Sequence, residues 1–460
     1  MNRVWIDLTD LRLWSGQHGG VQRVVYGIAE QYYLEARDNG KDVGFFAYDA
    51  AADDFVEASF DPIFQAVQSL RSDVGAGGAP GEGLKHRLKR AAIQYAPSFV
   101  INNPARRALA KKVAVRSFRV AASVKRRAVA SRSKLATRRN QQPVAASVRF
   151  AEGDVVLILG KPWDDLRIQG LLTRRRQETD FCLVQVAYDL IICLHPHLHH
   201  PSLFVQYSQH MFEAVAASDL LLPISSSTDK DLAVFAERLG LRLPETAVIR
   251  LGDAIQDDVI DAQRTRPDPR IRDNFIACVG TIENRKNHTL LYYVYRLAHE
   301  RGIELPQLVI VGRRGWLTDD FMQTVQRDQV IRDQFLILEN VSDEGLVWIY
   351  ENCRYGIYPS MYEGWGLPVA ELLARGKPCV ASGVSSIPEV GKDLVDYFSP
   401  YDTQECLDAM LRLADDAALQ ERAERIARDY KVTTWGDTYE QVEKALQSLC
   451  SKKPSGKKKR

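Results

Sequence analysis

Short apolar runs punctuate the chain and alternate with longer stretches in which apolar residues recur every three or four positions. Residues 155–159, 182–186, 220–222, 275–279, 308–311, 335–338, 355–358 and 378–381 are rich in β-branched and aromatic side chains and read as buried strands. Val4-Trp5-Ile6-Asp7-Leu8 supplies one more at the start. The segments between them have helical period, which predicts parallel sheets built from strand–helix–strand units. Gly160, Gly252, Gly280 and Gly312 follow several of these runs, at the strand ends where open parallel sheets hold their ligands.

A chain of 460 residues is long for one core and suits two. A polar break with Pro267 and Pro269 precedes the run at Phe275 and predicts a linker over 258–274. That gives a first domain over 1–257, a second over 275–425, a C-terminal helix over 426–450 expected to pack back on the first domain, and a basic tail over 451–460. The seven cysteines are scattered and form no C-x-x-C pair, which argues against a disulfide framework or a zinc site and for a reducing compartment. No leader pattern and no apolar run of spanning length is present, so a cytoplasmic location is expected.

The near-neutral balance, 61 Lys and Arg against 59 Asp and Glu, conceals an asymmetry. Residues 85–139 hold 17 basic side chains, Lys85 the first and Arg139 the last, and no acidic one; Lys452 to the end adds six more. The remainder is acidic. The basic stretch interrupts the first domain over about 70–150 and reads as an insertion. Leu109, Val113, Val120 and Val124 follow helical spacing there, so a basic amphipathic helix against an anionic bilayer is expected, each near-surface cation contributing about 1 kcal/mol. Such a surface would suit a lipid-linked acceptor. Phe118 is the one aromatic residue between Arg106 and Arg139, which leaves base stacking little to use, and no nucleic acid partner is expected.

Two segments carry the candidate chemistry. In Gly280-Thr281-Ile282-Glu283-Asn284-Arg285-Lys286-Asn287, a strand leads into a helix that Asn287 would cap. Arg285 and Lys286 then precede a helix N-terminus, where the helix dipole disfavours cations unless an anion is present. A diphosphate resolves the conflict, Arg285 offering a donor fork and Lys286 a point charge, with no metal. In Tyr358-Pro359-Ser360-Met361-Tyr362-Glu363-Gly364-Trp365-Gly366-Leu367-Pro368-Val369-Ala370-Glu371, Pro368 fits a first helical turn, which would also hold Glu371. Two carboxylates beside a diphosphate would be repelled unless each engages hydroxyls, so Glu363 and Glu371 read as polyol binders. Gly364 and Gly366 would let the backbone approach a sugar.

On the acceptor side, Gly19 and Gly20 precede the helical pattern 24–34 and could present free amides to phosphate. Asp189, after the run 182–186, is the candidate for aligning an acceptor hydroxyl or taking its proton. Arg313 and Arg314 follow the run 308–311 and read equally as surface charges or as ligand contacts. His195, His197, His199 and His200 have no carboxylate partners at a metal-ligand spacing and read as solvated loop residues.

Glu363-Gly364-Trp365-Gly366-Leu367-Pro368 with Glu371, followed by Gly376-Lys377-Pro378 and Ile387-Pro388-Glu389-Val390, resembles the signature of retaining glycosyltransferase family 4, in its bacterial mannosyltransferase-like branch. The segment ending at Asn287 resembles that family's phosphate loop, Gly19-Gly20 its N-terminal glycine loop, and Tyr188-Asp189-Leu190-Ile191 its acceptor-side segment. The resemblance implies a GT-B fold, an α/β arrangement of two Rossmann-like doubly wound domains facing a cleft, here with a basic helical insertion in the first. It implies a nucleotide-sugar donor, a glycan or lipid-linked acceptor, retention at the anomeric carbon, and no cofactor or required metal. It places the diphosphate on Arg285 and Lys286, the ribose on Glu371, the transferred sugar on Glu363 with Gly364, Gly366 and Leu367, and the reacting sugar near Asp189. Where some relatives have a further Arg after the strand glycine, this chain has Thr281.

The expected function is transfer of a hexose, mannose from GDP-mannose by family branch, to a hydroxyl of a cell-surface glycan or lipid-linked acceptor, at the inner face of the membrane. The rival readings are a catalytically silent GT-B scaffold that binds membrane or a partner, and a polyanion-binding protein acting through the basic stretch.

Overall fold

The computed structural model describes residues 2–12, 20–72, 146–253 and 265–452, the side chains of 69–72 excepted. Met1–Ser72 and Ser147–Arg460 form one compact unit; Asp73–Ala146 form another, almost wholly outside the described residues, and the expected basic helix falls there.

The first half runs β1 (Val4–Asp7), α1 (Gly20–Asn39), β2 (Val43–Asp49), β3 (Asp54–Glu57), α2 (Asp61–Ser72), β4 (Val155–Ile158), α3 (Arg167–Glu178), β5 (Cys182–Ala187), α4 (Ile191–Leu194), α5 (Pro201–Ala217), β6 (Leu220–Pro223), α6 (Ser226–Leu239) and β7 (Glu245–Thr246). The second half runs β8 (Phe275–Val279), α7 (His288–Glu300), β9 (Gln307–Val311), α8 (Asp319–Arg327), β10 (Phe335–Leu338), α9 (Asp343–Asn352), β11 (Gly356–Tyr358), α10 (Leu367–Leu373), β12 (Cys379–Ser382), α11 (Ile387–Gly391), β13 (Asp396–Phe398), α12 (Thr403–Arg412) and α13 (Asp416–Asp429), before α14 (Trp435–Lys452).

The strands assemble as β3-β2-β1-β4-β5-β6-β7 and β10-β9-β8-β11-β12-β13. Val4 lies between Val43 and Val155, and Gly356 between Ala277 and Cys379. All pairings among these strands are parallel except β2 with β3. Strands such as β1, β4 and β5 are buried along their whole length because helices cover both faces, which is why their sequences are apolar but for Asp7 and Gln185. In each sheet the strand order reverses once, between β1 and β4 and between β8 and β11. Such switch points open a crevice at the strands' C-terminal ends, and here they locate the cleft.

The C-terminal helix is not the single element expected over 426–450. Helix α13 stops at Asp429, residues 430–434 cross to the first half, and α14 begins at Trp435. Its indole is pressed so closely on α1 and on the loop after β7 that a Cβ at Gly27 or Gly252 would collide with it. Tyr32 on α1 donates to Glu443 at 2.6 Å, and Lys41 pairs with the same carboxylate.

Candidate functional site

The loop after β8 and the loop after β11 flank the switch point of the second sheet and are tied together, the amide of Met361 donating to the carbonyl of Arg285 at 2.9 Å. Glu363 is the centre of what they hold. One of its oxygens meets Arg285 at 2.8 Å and the other Lys286 at 2.6 Å, with the three side chains 12%, 12% and 8% exposed in the order Arg285, Lys286, Glu363. Arg285 also pairs with Glu283 at 2.7 Å and donates to the carbonyl of Tyr362 at 2.7 Å. The Lys286 ammonium contacts the Tyr358 hydroxyl and lies over its ring. Burial alone would push the Glu363 carboxyl up, but Arg285 and Lys286 outweigh it and hold it down at about 2. Burial lowers the Lys286 pKa, Glu363 opposing and Arg285 assisting.

Asn287 does not cap α7 with its side chain. Its backbone is left-handed, φ 57°, and its amide donates to the carbonyls of Pro359 and Pro400 at 3.2 and 2.8 Å, bracing the phosphate-loop candidate against the β11 loop. Ser385 and Ser386 brace Glu363 from below, Ser385 accepting its amide at 2.8 Å and Ser386 donating to its carbonyl at 2.9 Å.

Glu371 differs from expectation. It lies beyond the first turn of α10, which begins at Leu367 directly after Gly366, and it is buried, 3% exposed. Tyr350 on α9 donates to one oxygen at 2.6 Å and Arg23 on α1 pairs with the other, so its strongest partner comes from the opposite half. Gly366 has φ 110°, a conformation other residues avoid. Gly364 packs against the carbonyl oxygen of Tyr188, and a Cβ there would collide with it.

The first half contributes Asp189, just beyond β5. Its carboxylate accepts the amide of Ile191 at 3.1 Å, and burial raises its pKa, Arg285 partly offsetting. Gly20 opens α1 and stands 3.5 Å, measured from an ideal Cβ, from Leu367; Gly19 lies outside the described residues. Tyr362 donates to Asp231 on α6 at 2.9 Å and stacks near His195, ring centres 4.6 Å apart. Glu389 accepts the amides of Ser226 and Ser227 at 2.7 Å each, a carboxylate seated on the N-terminus of α6. Arg314 pairs with Asp319 rather than standing free. His200 caps α5, and His199 is not solvated, its ring nitrogens both being buried.

Arg285, Lys286, Glu363 and Asp189 are thus brought to one cleft, with Glu371 behind them. Sequence reasoning missed Arg23, Tyr350, Asp231 and the two serines. The position of Arg23, three residues into α1 after the glycine pair, was the available signal. A cavity of about 340 Å³ lined by Asn274, Arg354 and Asp415 lies at the N-terminal ends of the second sheet's strands, away from this chemistry.

Residues 260–430 match the model of the family described as glycosyl transferases group 1. The chain is similar to the O-antigen chain mannosyltransferase B of Escherichia coli, 30% identical over 234 residues, 49% of this chain and 59% of that protein. It is similar to the serotype-specific mannosyltransferase WbdA of Escherichia coli, 25% identical over 267 residues, 55% of this chain and 32% of that protein. The MMP alpha-(1->4)-mannosyltransferase of Mycolicibacterium hassiacum is 30% identical over 204 residues, 42% of this chain and 45% of its own. The chain therefore spans between a third and three fifths of these relatives' lengths. Among solved structures, Anabaena Alr3699/HepE in complex with UDP and glucose covers 97% of this chain and 100% of its own at TM-score 0.52 and 12% identity, a likeness of fold.

Proposed function

We propose that this chain, which has a GT-B fold and whose residues 260–430 match the glycosyl transferases group 1 model, is a retaining transferase that moves mannose from GDP-mannose to a hydroxyl of a cell-surface glycan or lipid-linked acceptor. The observation that carries the reading is the buried cluster of Arg285, Lys286 and Glu363 at the switch point of the second sheet. A diphosphate entering there takes over the two cations and frees the Glu363 carboxylate for the hydroxyls of the sugar it carries. Glu371 keeps a further lone pair on each oxygen after bonding Arg23 and Tyr350, and these accept the ribose hydroxyls. We assign the phosphates to the amide of Gly20 at the start of α1, Gly19 lying outside the described residues, and the sugar to the amides of Gly364, Gly366 and Leu367. Asp189 aligns the acceptor, whose proton passes to the leaving phosphate or to Asp189 itself. Mannose is favoured over other hexoses because the relatives named above are mannosyltransferases.

The decisive experiment is calorimetry of the full chain with GDP and UDP, followed by incubation with GDP-mannose and a mannose-terminated acceptor and assignment of the product's anomeric configuration by NMR. GDP binding with no transfer to any acceptor would leave a silent scaffold. Binding of neither nucleotide would defeat the reading.

No helix among the described residues is long and apolar enough to cross a membrane. The inner-face location rests on residues 85–139, which we assign to anionic lipid on their charge alone. Co-sedimentation with anionic vesicles that survives deletion of 85–139 would sink that assignment.

A further inference from the structure

Two side chains from opposite halves meet beside the Glu363 cluster and have no part in the chemistry given so far. His199 leaves the short turn that follows α4, and Trp316 stands on the loop after β9. Their rings lie 5.5 Å apart, inclined at 33°. Both ring nitrogens of His199, the indole nitrogen of Trp316 and Nε of Arg285 are buried without a hydrogen-bond partner among the described residues. Buried polar atoms are nearly always bonded, so lone ones gathered at one cleft mark a place for hydroxyls, whether of water or of a ligand.

Burial, reinforced by Arg285, lowers the His199 pKa to about 4, so the imidazole is neutral near pH 7. A neutral imidazole presents one donor and one acceptor, which matches a sugar hydroxyl and serves a phosphate poorly. Trp316 adds a donor and an aromatic face on which the C–H face of a pyranose can lie. The first half also supplies Asp189, and the diphosphate and donor sugar are accounted for by Arg285, Lys286 and Glu363. Because the two rings belong to opposite halves, a small separation of the halves widens the gap between them.

We propose that His199 and Trp316 form a pyranose subsite that holds the acceptor sugar against the Glu363 cluster. The proposal rests on the transferase reading of the same cleft and adds the class of acceptor and the residues that grip it.

The test is saturation-transfer NMR of the full chain with millimolar methyl α-pyranosides of mannose, glucose, galactose and N-acetylglucosamine, with GDP affinity measured in parallel by calorimetry. At least one pyranoside should bind the parent. His199→Ala and Trp316→Ala should each weaken it tenfold or more with GDP affinity changed less than twofold. Trp316→Phe, which keeps the face and loses the donor, should fall between. If either alanine variant fails to fold by thermal melt, His199→Gln and Trp316→Phe carry the same comparison. Absence of binding of all four pyranosides, unchanged pyranoside binding in both variants, or a tenfold loss confined to GDP would each overturn the subsite. A parent that binds a pyranoside but no nucleotide would fault the transferase reading instead.

Discussion

Glu363 and Glu371 stand eight positions apart in one loop–helix segment, and both are buried, yet the molecule holds them in opposite ways. Glu363 is neutralised by Arg285 and Lys286 from its own half, on loops tied by backbone hydrogen bonds. Glu371 is neutralised by Arg23, 348 positions away on the other half. The first carboxylate sits in a site the second sheet can complete alone, whereas the second is complete only when α1 is docked. On the function proposed above, a donor diphosphate would be received by one half, while the ribose end of the same molecule would sense whether the halves have come together.

The largest effect should come from breaking the self-contained site. Glu363→Ala leaves the buried Lys286 without its carboxylate and Arg285 with Glu283 alone, and should destabilise the fold by about 3 to 5 kcal/mol in urea unfolding. GDP at 100 times the parent's Kd adds about 2.7 kcal/mol to the parent, and at that same concentration the variant should gain more, because the diphosphate fills the vacated charge and binds it more tightly. A variant as stable as the parent would mean that water already screens the cluster.

Acid should read the same site without mutation. With a folded pKa near 2 against an ordinary 4.5, the Glu363 carboxylate contributes its full stabilisation above pH 4.5 and loses it as pH falls from 4.5 to 2. That difference corresponds to about 3 kcal/mol. Denaturation of the parent and of Glu363→Gln across this window should converge at the acid end. Parallel curves would remove the carboxylate from the pair.

Lys286→Ala should cost about 1.5 to 3 kcal/mol in GDP affinity and little in guanosine affinity, since on the proposed reading the ammonium meets the diphosphate and not the nucleoside. Equal losses by calorimetry would show a purely structural role. On the other side of the comparison, Arg23→Ala and Glu371→Ala should couple in a double-mutant cycle by about 1 to 2 kcal/mol of stability, and the Lys286–Glu371 pair should not couple. Additive Arg23 and Glu371 losses would break the contrast drawn above. Tyr350→Phe, which removes one bond to Glu371, should cost about 1 kcal/mol and leave GDP affinity nearly unchanged.

The parallel strands were legible because a strand covered on both faces must be largely apolar, and β4 and β8 are apolar throughout while β5, β9 and β12 each carry a single polar residue. Arg285, Lys286 and Glu363 were legible because glycine-rich turns after strands have few uses and two adjacent cations there need an anion. Glu371 was placed in the first helical turn and lies deeper, because its burial depends on Arg23 and Tyr350, and no local spacing encodes a contact with α1. Asn287 has the composition of a cap and serves instead as a brace, since its left-handed backbone turns the amide toward Pro359 and Pro400. The break at 430–434 went unread because α13 and α14 share one amphipathic rhythm while covering different halves. The subsite candidates His199 and Trp316 fall on turns without periodicity, where nothing short of coordinates brings them together.

Helix α14 gives synthesis an order. The chain makes β1 to β7 early, but the indole of Trp435, which fills the space beside Gly27 and Gly252, emerges only after the whole second half. At about 5 to 20 residues per second the ribosome needs roughly 10 to 40 seconds for the intervening stretch. During that time α1 exposes the apolar face that α14 will cover. The first half thus completes its packing only after the second half has been made, and a chaperone that meets the chain on the ribosome should find its client surface on α1.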